Sequence, residues 1–285
     1  MLVNTHRTDM DKRLENEFDY LCAKYPNVAF NMRDWNAVTR MGKEYLYPTE
    51  GYITIPQNYD INIINNYKGF LTHNKKFYER YKNDINVVFT NGPMDSHNYY
   101  ALDSFISYEE RIPGICAMYK IYQTKREGDI LHMRSEVMHG LPLDTKHTYG
   151  KPSWGDDMYQ GCVEGVHPNH EENLKIINKY HFVLALEPMY HEMWSYNWIT
   201  ERLWNAFKSK TVPVYYGCYN VEELVPTDLF IDYRKFSNLT ELAEELKNFP
   251  QSRWEDMTEK AYNWYYNTCR MSNMDDLEDV LRSCV

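Results

Sequence analysis

The chain has 285 residues, 43% of them hydrophobic, which is enough for two ordinary domains or one large one with a full core. Its formal net charge of -10 argues against a nucleic-acid surface, and no apolar run reaches the ~20 residues of a membrane-spanning helix. The start, MLVNTHRTDMDKR, lacks the apolar stretch of a secretion signal and the six cysteines form no Cys-x-x-Cys pair, so a cytoplasmic chain with reduced thiols and no structural zinc is expected.

In chain order, a helix is predicted over 9–24, where Leu14, Phe18 and Leu21 recur at near-helical spacing behind Thr8 and Asp9. Val28-Ala29-Phe30 is a strand candidate, and 45–55 reads as a strand end broken by Pro48 and Gly51. A short helix over 59–67, a strand over 69–72, a helix over 75–81 and a strand over 87–89 follow, and this alternation predicts a Rossmann-like half. The polar stretch 91–108 reads as a crossing segment. A second alternation then runs from a strand at 115–119 through a helix at 129–138 to Thr148-Tyr149-Gly150. The glycine-bearing polar stretch 154–171 is longer than a routine connection, which suggests a lid or an acceptor-facing loop. Amphipathic helices over 239–249 and 254–267 close the pattern.

Ahead of these two helices, 180–236 reads as one continuous strand, loop, helix, strand, loop, strand unit. Phe182 to Leu186 suits a buried parallel strand, the helix from Thr200 puts Ile199, Leu203, Ala206 and Phe207 on one face, and Val212-Pro213-Val214-Tyr215-Tyr216-Gly217 is a second strand ending in a turn. The helix begins beyond the carboxyl end of a strand, where open α/β sheets bind ligands. Its amino terminus offers N–H groups and a positive dipole end to phosphate oxygens, and Arg202 adds a fork-shaped cation; a nucleotide diphosphate fits that chemistry. On residue types alone, Thr200 and Glu201 also serve as helix caps.

The unit resembles the donor-binding region of the α1,3/4-fucosyltransferases. Three blocks carry the resemblance in the right order: Phe182-Val183-Leu184-Ala185-Leu186-Glu187, then Trp198-Ile199-Thr200-Glu201-Arg202-Leu203-Trp204, then Thr211-Val212-Pro213-Val214-Tyr215-Tyr216-Gly217. Two departures stand out: Pro188-Met189 replaces the family's Asn-Ser, and Arg202 its Lys. The resemblance implies donor contacts from Glu187, Trp198, Thr200, Glu201 and Arg202, with Glu201 on the ribose hydroxyls and Arg202 on the diphosphate. It implies a further arginine after the first strand of the second half, for which Arg126 is chosen, with Arg134 as an alternative read as a surface helix residue. It also implies an acceptor-side base: Glu50, in Pro48-Thr49-Glu50-Gly51, follows an apolar strand. Without an anchor or paired cysteines the chain looks like a bacterial or viral form, or an isolated catalytic domain.

No metal site is expected. Asp9-Met10-Asp11 reads as a helix start, Asp156-Asp157 lacks completing ligands, and His191-Glu192 lacks a second histidine. The expectation is an α/β chain of two Rossmann-like domains facing a cleft, the GT-B architecture, with an acceptor domain over 1–110, a donor domain over 111–270 and a closing helix over 271–285. The implied activity is inverting transfer from a nucleotide sugar, GDP-fucose first, to a glycan hydroxyl, with no cofactor required and no nucleic acid or membrane as partner. The alternatives are a same-fold transferase using another nucleotide sugar, and a silent glycan-binding protein.

Overall fold

The structure is a computed structural model that describes residues 28–30, 45–47, 52, 56–90, 101–119, 124–150, 158, 160, 171–269, 279, 280 and 282. The helix expected over 9–24, Glu50, most of the 154–171 loop and most of 271–285 lie outside the described residues.

Two parallel sheets carry the fold. The first has β1 (Val28–Phe30), β2 (Tyr45–Tyr47), β3 (Gly69–Thr72) and β4 (Val87–Phe89), paired in sequence order. Its connections include α1 (Ile61–Ile64), begun by an Asp60 side chain accepting from Asn62 N–H, and α2 (Lys75–Tyr81), begun by Asn74 accepting from Phe77 N–H. Leu46, Tyr59, Ile64, Phe70, Phe77 and Ile85 form its core. The expected helix over 59–67 is instead a 3-10 turn, Pro56–Tyr59, followed by α1, because Asp60 caps the chain anew there.

The second sheet holds β5 (Ile112–Met118), β6 (Lys146–Tyr149), β7 (Tyr180–Leu186), β8 (Val212–Tyr216) and β9 (Ile231–Asp232) in the order β6-β5-β7-β8-β9. Every residue of β7 is buried, as the centre of a parallel sheet requires, and it pairs with β8 from Phe182–Val212 to Leu186–Tyr216. Between the strands lie α3 (Leu131–Gly140), α4 (Glu171–Ile177), α5 (Glu201–Lys208) and α6 (Val221–Leu224), followed after β9 by α7 (Leu239–Lys247) and α8 (Gln251–Trp264). The α5 face predicted to be apolar is the packed one: Leu203, Ala206 and Phe207 are fully buried against the one face of the sheet that Val183, Ala185 and Tyr215 share.

Strand order fixes where a ligand can enter. The chain leaves β5 toward β6 and returns to β7 on the other side, so the connections after β5 and β7 part company and open a crevice at their carboxyl ends. At the amino ends, buried Arg111 bonds Ile106 O, Tyr180 O and Thr211 Oγ1, closing that edge.

Candidate functional site

Two segments line the strand-order reversal. After β5, the turn 124–130 is wound tightly around Asp129, whose carboxylate accepts from Thr124 N–H and hydroxyl at 2.6 Å each and from Leu131 N–H at 2.9 Å. Gly128 has φ +80 and a Cβ there would meet His191 Cβ at 2.7 Å, so glycine lets this turn lie against the loop that follows β7. The two are laced by Ile130 N–H to Pro188 O at 3.1 Å and Tyr190 N–H to Gly128 O at 2.8 Å. Arg126, half-buried, therefore belongs to a turn fixed beside the residues that follow Glu187.

The loop 187–200 is held internally. Asn197 adopts φ +58, a left-handed conformation that asparagine tolerates, and exchanges bonds with Asn220: its N–H donates to Asn220 Oδ1 at 2.8 Å and Asn220 Nδ2 donates to its Oδ1 at 2.9 Å. His191 Nδ1 accepts from Met193 N–H at 3.0 Å, so this histidine shapes the loop.

At the crevice the three sequence blocks converge on Glu187. The Thr200 N–H and hydroxyl donate to its two carboxylate oxygens at 2.7 and 2.6 Å, and Tyr215 OH donates at 3.4 Å. Arg202 Nη1 lies 3.6 Å from Glu187 and 3.3 Å from Glu201, and donates to Thr200 Oγ1 at 2.9 Å. Glu187 is fully buried, and burial pushes its carboxyl above the ordinary value, with Arg202 pulling the other way. Gly217, φ +148, follows β8; a Cβ there would lie 2.1 Å from Glu187 Cβ, so the glycine of the third block clears space for the glutamate of the first.

The arrangement differs from simple capping. Thr200 is the N-cap of α5, yet its hydroxyl is turned to Glu187 and makes no cap bond to the helix. Glu201 and Arg202, with side chains 17% and 24% exposed, occupy the first turn at the crevice. Glu187 stands behind them as the anchor of Thr200 and Arg202, while Trp198, 5% exposed, faces His73 of the first half.

One sequence reading is corrected. Arg134, expected on the surface of its helix, is 3% exposed and donates from Nε to Leu186 O at 2.9 Å. The reason is local: α3 runs beside the carboxyl end of β7, and the last strand carbonyl takes a side-chain donor. Sequence reasoning also missed Tyr215, the Asn197–Asn220 pair and Gly217's reason for being glycine; asparagines flanking a predicted helix were the available signal. The departure Pro188-Met189 is absorbed by packing, since Met189 is fully buried with Leu131 and Trp198. Among the described residues no group of three or more His, Cys, Asp or Glu is placed to hold a metal ion, and no helix is long and apolar enough to cross a membrane.

Residues 155–284 match the family model described as Glycosyltransferase family 10 (fucosyltransferase) C-term. Over 97 residues the chain is 39% identical to an alpha-(1,4)-fucosyltransferase of Arabidopsis thaliana, covering 32% of this chain and 22% of that protein. Over 123 residues it is 31% identical to the 4-galactosyl-N-acetylglucosaminide 3-alpha-L-fucosyltransferase 9 of Homo sapiens, covering 42% and 28%. The matched stretches thus span less than a third of these curated relatives. Among solved structures, an alpha1,3-fucosyltransferase with GDP aligns at TM-score 0.52 and 14% identity, over 90% of this chain and 78% of that one. An alpha-glucosyltransferase in complex with UDP and a 13-mer DNA aligns at TM-score 0.58 and 11% identity, over 94% and 83%. These likenesses show the fold: α/β, with the parallel sheets of GT-B glycosyltransferases, as the strand pattern predicted.

Proposed function

We propose that this chain is an inverting glycosyltransferase that moves a sugar from a nucleoside diphosphate sugar, GDP-fucose foremost, to a hydroxyl of a glycan acceptor. The observation that carries the reading is the convergence on Glu187. Residues from three separated blocks, Glu187, Thr200 to Arg202, and Tyr215 with Gly217, come together at the one place where the strand order reverses.

In this reading Glu201 holds the ribose hydroxyls, and Arg202 and Arg126, one from each wall of the crevice, take up charge on the diphosphate with the first N–H groups of α5. Glu187 and Thr200 act from behind, fixing Arg202 and the helix start. The acceptor oxygen attacks C1 of the sugar as its proton passes to Glu50, and the C1–O bond to the diphosphate breaks through an oxocarbenium-like state, with the electron pair leaving on GDP. The developing charge on GDP meets fixed cations and dipoles, so the chemistry needs no resident cofactor or metal.

Titration calorimetry with GDP tests the assignment. The wild-type chain binds GDP, and Glu201→Ala loses at least tenfold in affinity while keeping its melting temperature within a few degrees, because two charge-assisted hydrogen bonds outweigh one helix-start residue. Undiminished GDP affinity in Glu201→Ala removes the ribose role. Stronger binding of a UDP or CMP sugar than of GDP-fucose would move the donor to another nucleotide.

A further inference from the structure

The carboxyl ends of the two sheets meet at a ring pair. His73, the first residue beyond β3, and Trp198, two residues before the N-cap of α5, have ring centroids 4.8 Å apart at 34°. Each is 5% exposed. The contact is pinned from both sides: Asn74 Nδ2 donates to Met193 O at 2.7 Å, Tyr52 stacks on Trp194 at 4.3 Å, and Lys76 pairs with Glu192 at 3.3 Å on the rim. Residues 190–198 are thus one segment through which the second half of the chain touches the first.

Inside this well-packed contact, three polar atoms have no hydrogen-bond partner: His73 Nδ1, Trp198 Nε1 and Thr90 Oγ1. Trp198 lies against the His73 ring, and Thr90, the residue after β4, stands at the register position next to His73, since Thr72 pairs with Phe89 and Thr90 N–H donates to Thr72 O at 2.9 Å. Buried polar groups are nearly always satisfied, and three such atoms on neighbouring residues call for a group that fills them.

Their chemistry selects that group. An indole N–H only donates, a hydroxyl does either, and the imidazole is neutral at working pH because burial lowers its pKa to about 4. None carries charge, so phosphate and carboxylate are poor matches, whereas a neutral ring bearing several hydroxyls, each able to donate and accept, satisfies all three. Position agrees. Trp198 is two residues from Thr200 and four from Arg202, so the cluster adjoins the donor helix on the side of the first sheet. A sugar carried on a diphosphate must project that way to meet an acceptor held by the first half.

We propose that His73 Nδ1, Thr90 Oγ1 and Trp198 Nε1 form the subsite for the hydroxyl groups of the transferred sugar, an inference that rests on the nucleotide-sugar reading above. The atoms are covered by the contact between the halves, so the sugar enters as residues 190–198 part from the β3 turn, and the ring pair closes beside it.

The test compares GDP with GDP-fucose by calorimetry on the wild-type chain, His73→Phe, His73→Asn and Thr90→Val. His73→Phe keeps an aromatic ring against Trp198 and removes the nitrogens; it should bind GDP within about twofold of wild type and GDP-fucose about tenfold more weakly. His73→Asn, with an amide near the Nδ1 position, should recover most of the loss, and Thr90→Val, which folds even if the histidine variants do not, should lose about fivefold for GDP-fucose alone. In turnover the KM for GDP-fucose rises and the KM for acceptor does not. Equal losses for GDP and GDP-fucose, no loss for either, or a rise confined to the acceptor KM each overturns the subsite. A wild-type chain that binds neither ligand overturns the nucleotide-sugar reading and this one with it, which distinguishes the two failures.

Discussion

The carboxyl edges of the two sheets solve different problems. In the second sheet the order β6-β5-β7-β8-β9 reverses between β5 and β7, and the residues beyond the reversal form a knot in which Thr200 and Tyr215 donate to Glu187 and Arg202 donates to Thr200. In the first sheet the strands follow sequence order, with no reversal among the described strands, and Tyr52 and His73 set their rings against the other half, with the Lys76–Glu192 pair at the rim. The lesson is one of division: topology makes a crevice in the second sheet and lines it with charged side chains, which in our proposal receive a charged leaving group. The first sheet contributes to the proposed sugar subsite only through its contact with the second. The family model shares this asymmetry, matching 155–284, whereas the likeness of fold extends over 90% of the chain.

The sharpest way to break this division is at Glu50, which lies outside the described residues and which we propose as the base. Glu50→Gln should lower kcat by ~10²–10⁴-fold while GDP affinity stays within about twofold, since a base acts on the acceptor proton only during transfer. If GDP affinity falls with kcat, donor and acceptor functions are not split between the halves. If kcat survives and another carboxylate such as Asp34 or Glu44 is essential, the base has been misplaced along the first half.

Next in size come the two arginines of the crevice walls. Arg126→Ala and Arg202→Ala should each lower turnover by about 100-fold, as expected when one preorganised charge is removed from a leaving group, and activity should persist in EDTA. They should differ in one respect that the geometry dictates. Arg202 lies 3.6 Å from fully buried Glu187, so its removal leaves that carboxylate less compensated and lowers the melting temperature more than removal of Arg126, which is half-buried in the turn 124–130. Loss in EDTA restored by Mn²⁺ would assign the charge to a cation instead.

Much of the second half was legible because each of its elements obeys a local rule. The β7 and β8 strands and α5 fall within two residues of the ranges read from apolar runs and helical spacing. The blocks also named residues that the structure brings together, Glu187 with Thr200 and Arg202. What the residues alone could not tell is which way a side chain turns: an acid after a strand reads as a ligand contact, whereas burial by Gly217 and Tyr215 turns Glu187 inward to hold Thr200. Arg134 misled for a similar reason, since its partner is a carbonyl of β7 and not a neighbour in sequence. His73 carried no signal in its own segment, where Thr72-His73-Asn74 reads only as a strand running into a helix cap. It is buried with its ring against Trp198, in the other half of the chain.

That burial gives the smallest and most diagnostic prediction. The His73 pKa is lowered from its ordinary 6.5 to about 4 by desolvation, so as pH falls below 6.5 the unfolded chain takes up a proton that the folded chain refuses. Stability therefore falls with falling pH through this window and levels off only below about 4. Between pH 7 and pH 5 the share due to His73 is about 2 kcal/mol, at about 1.36 kcal/mol per unit below 6.5. Carboxylates contribute to acid loss as well, so the quantity to measure is the difference between the wild-type chain and His73→Phe in urea unfolding at several pH values. The variant should gain about 2 kcal/mol relative to wild type on going from pH 7 to pH 5, because it has no imidazole to titrate. Parallel curves for the two proteins would mean that the imidazole takes up its proton in the folded chain as readily as in the unfolded one. His73 would then carry charge at the first sheet's edge, and a subsite built from neutral groups would be lost.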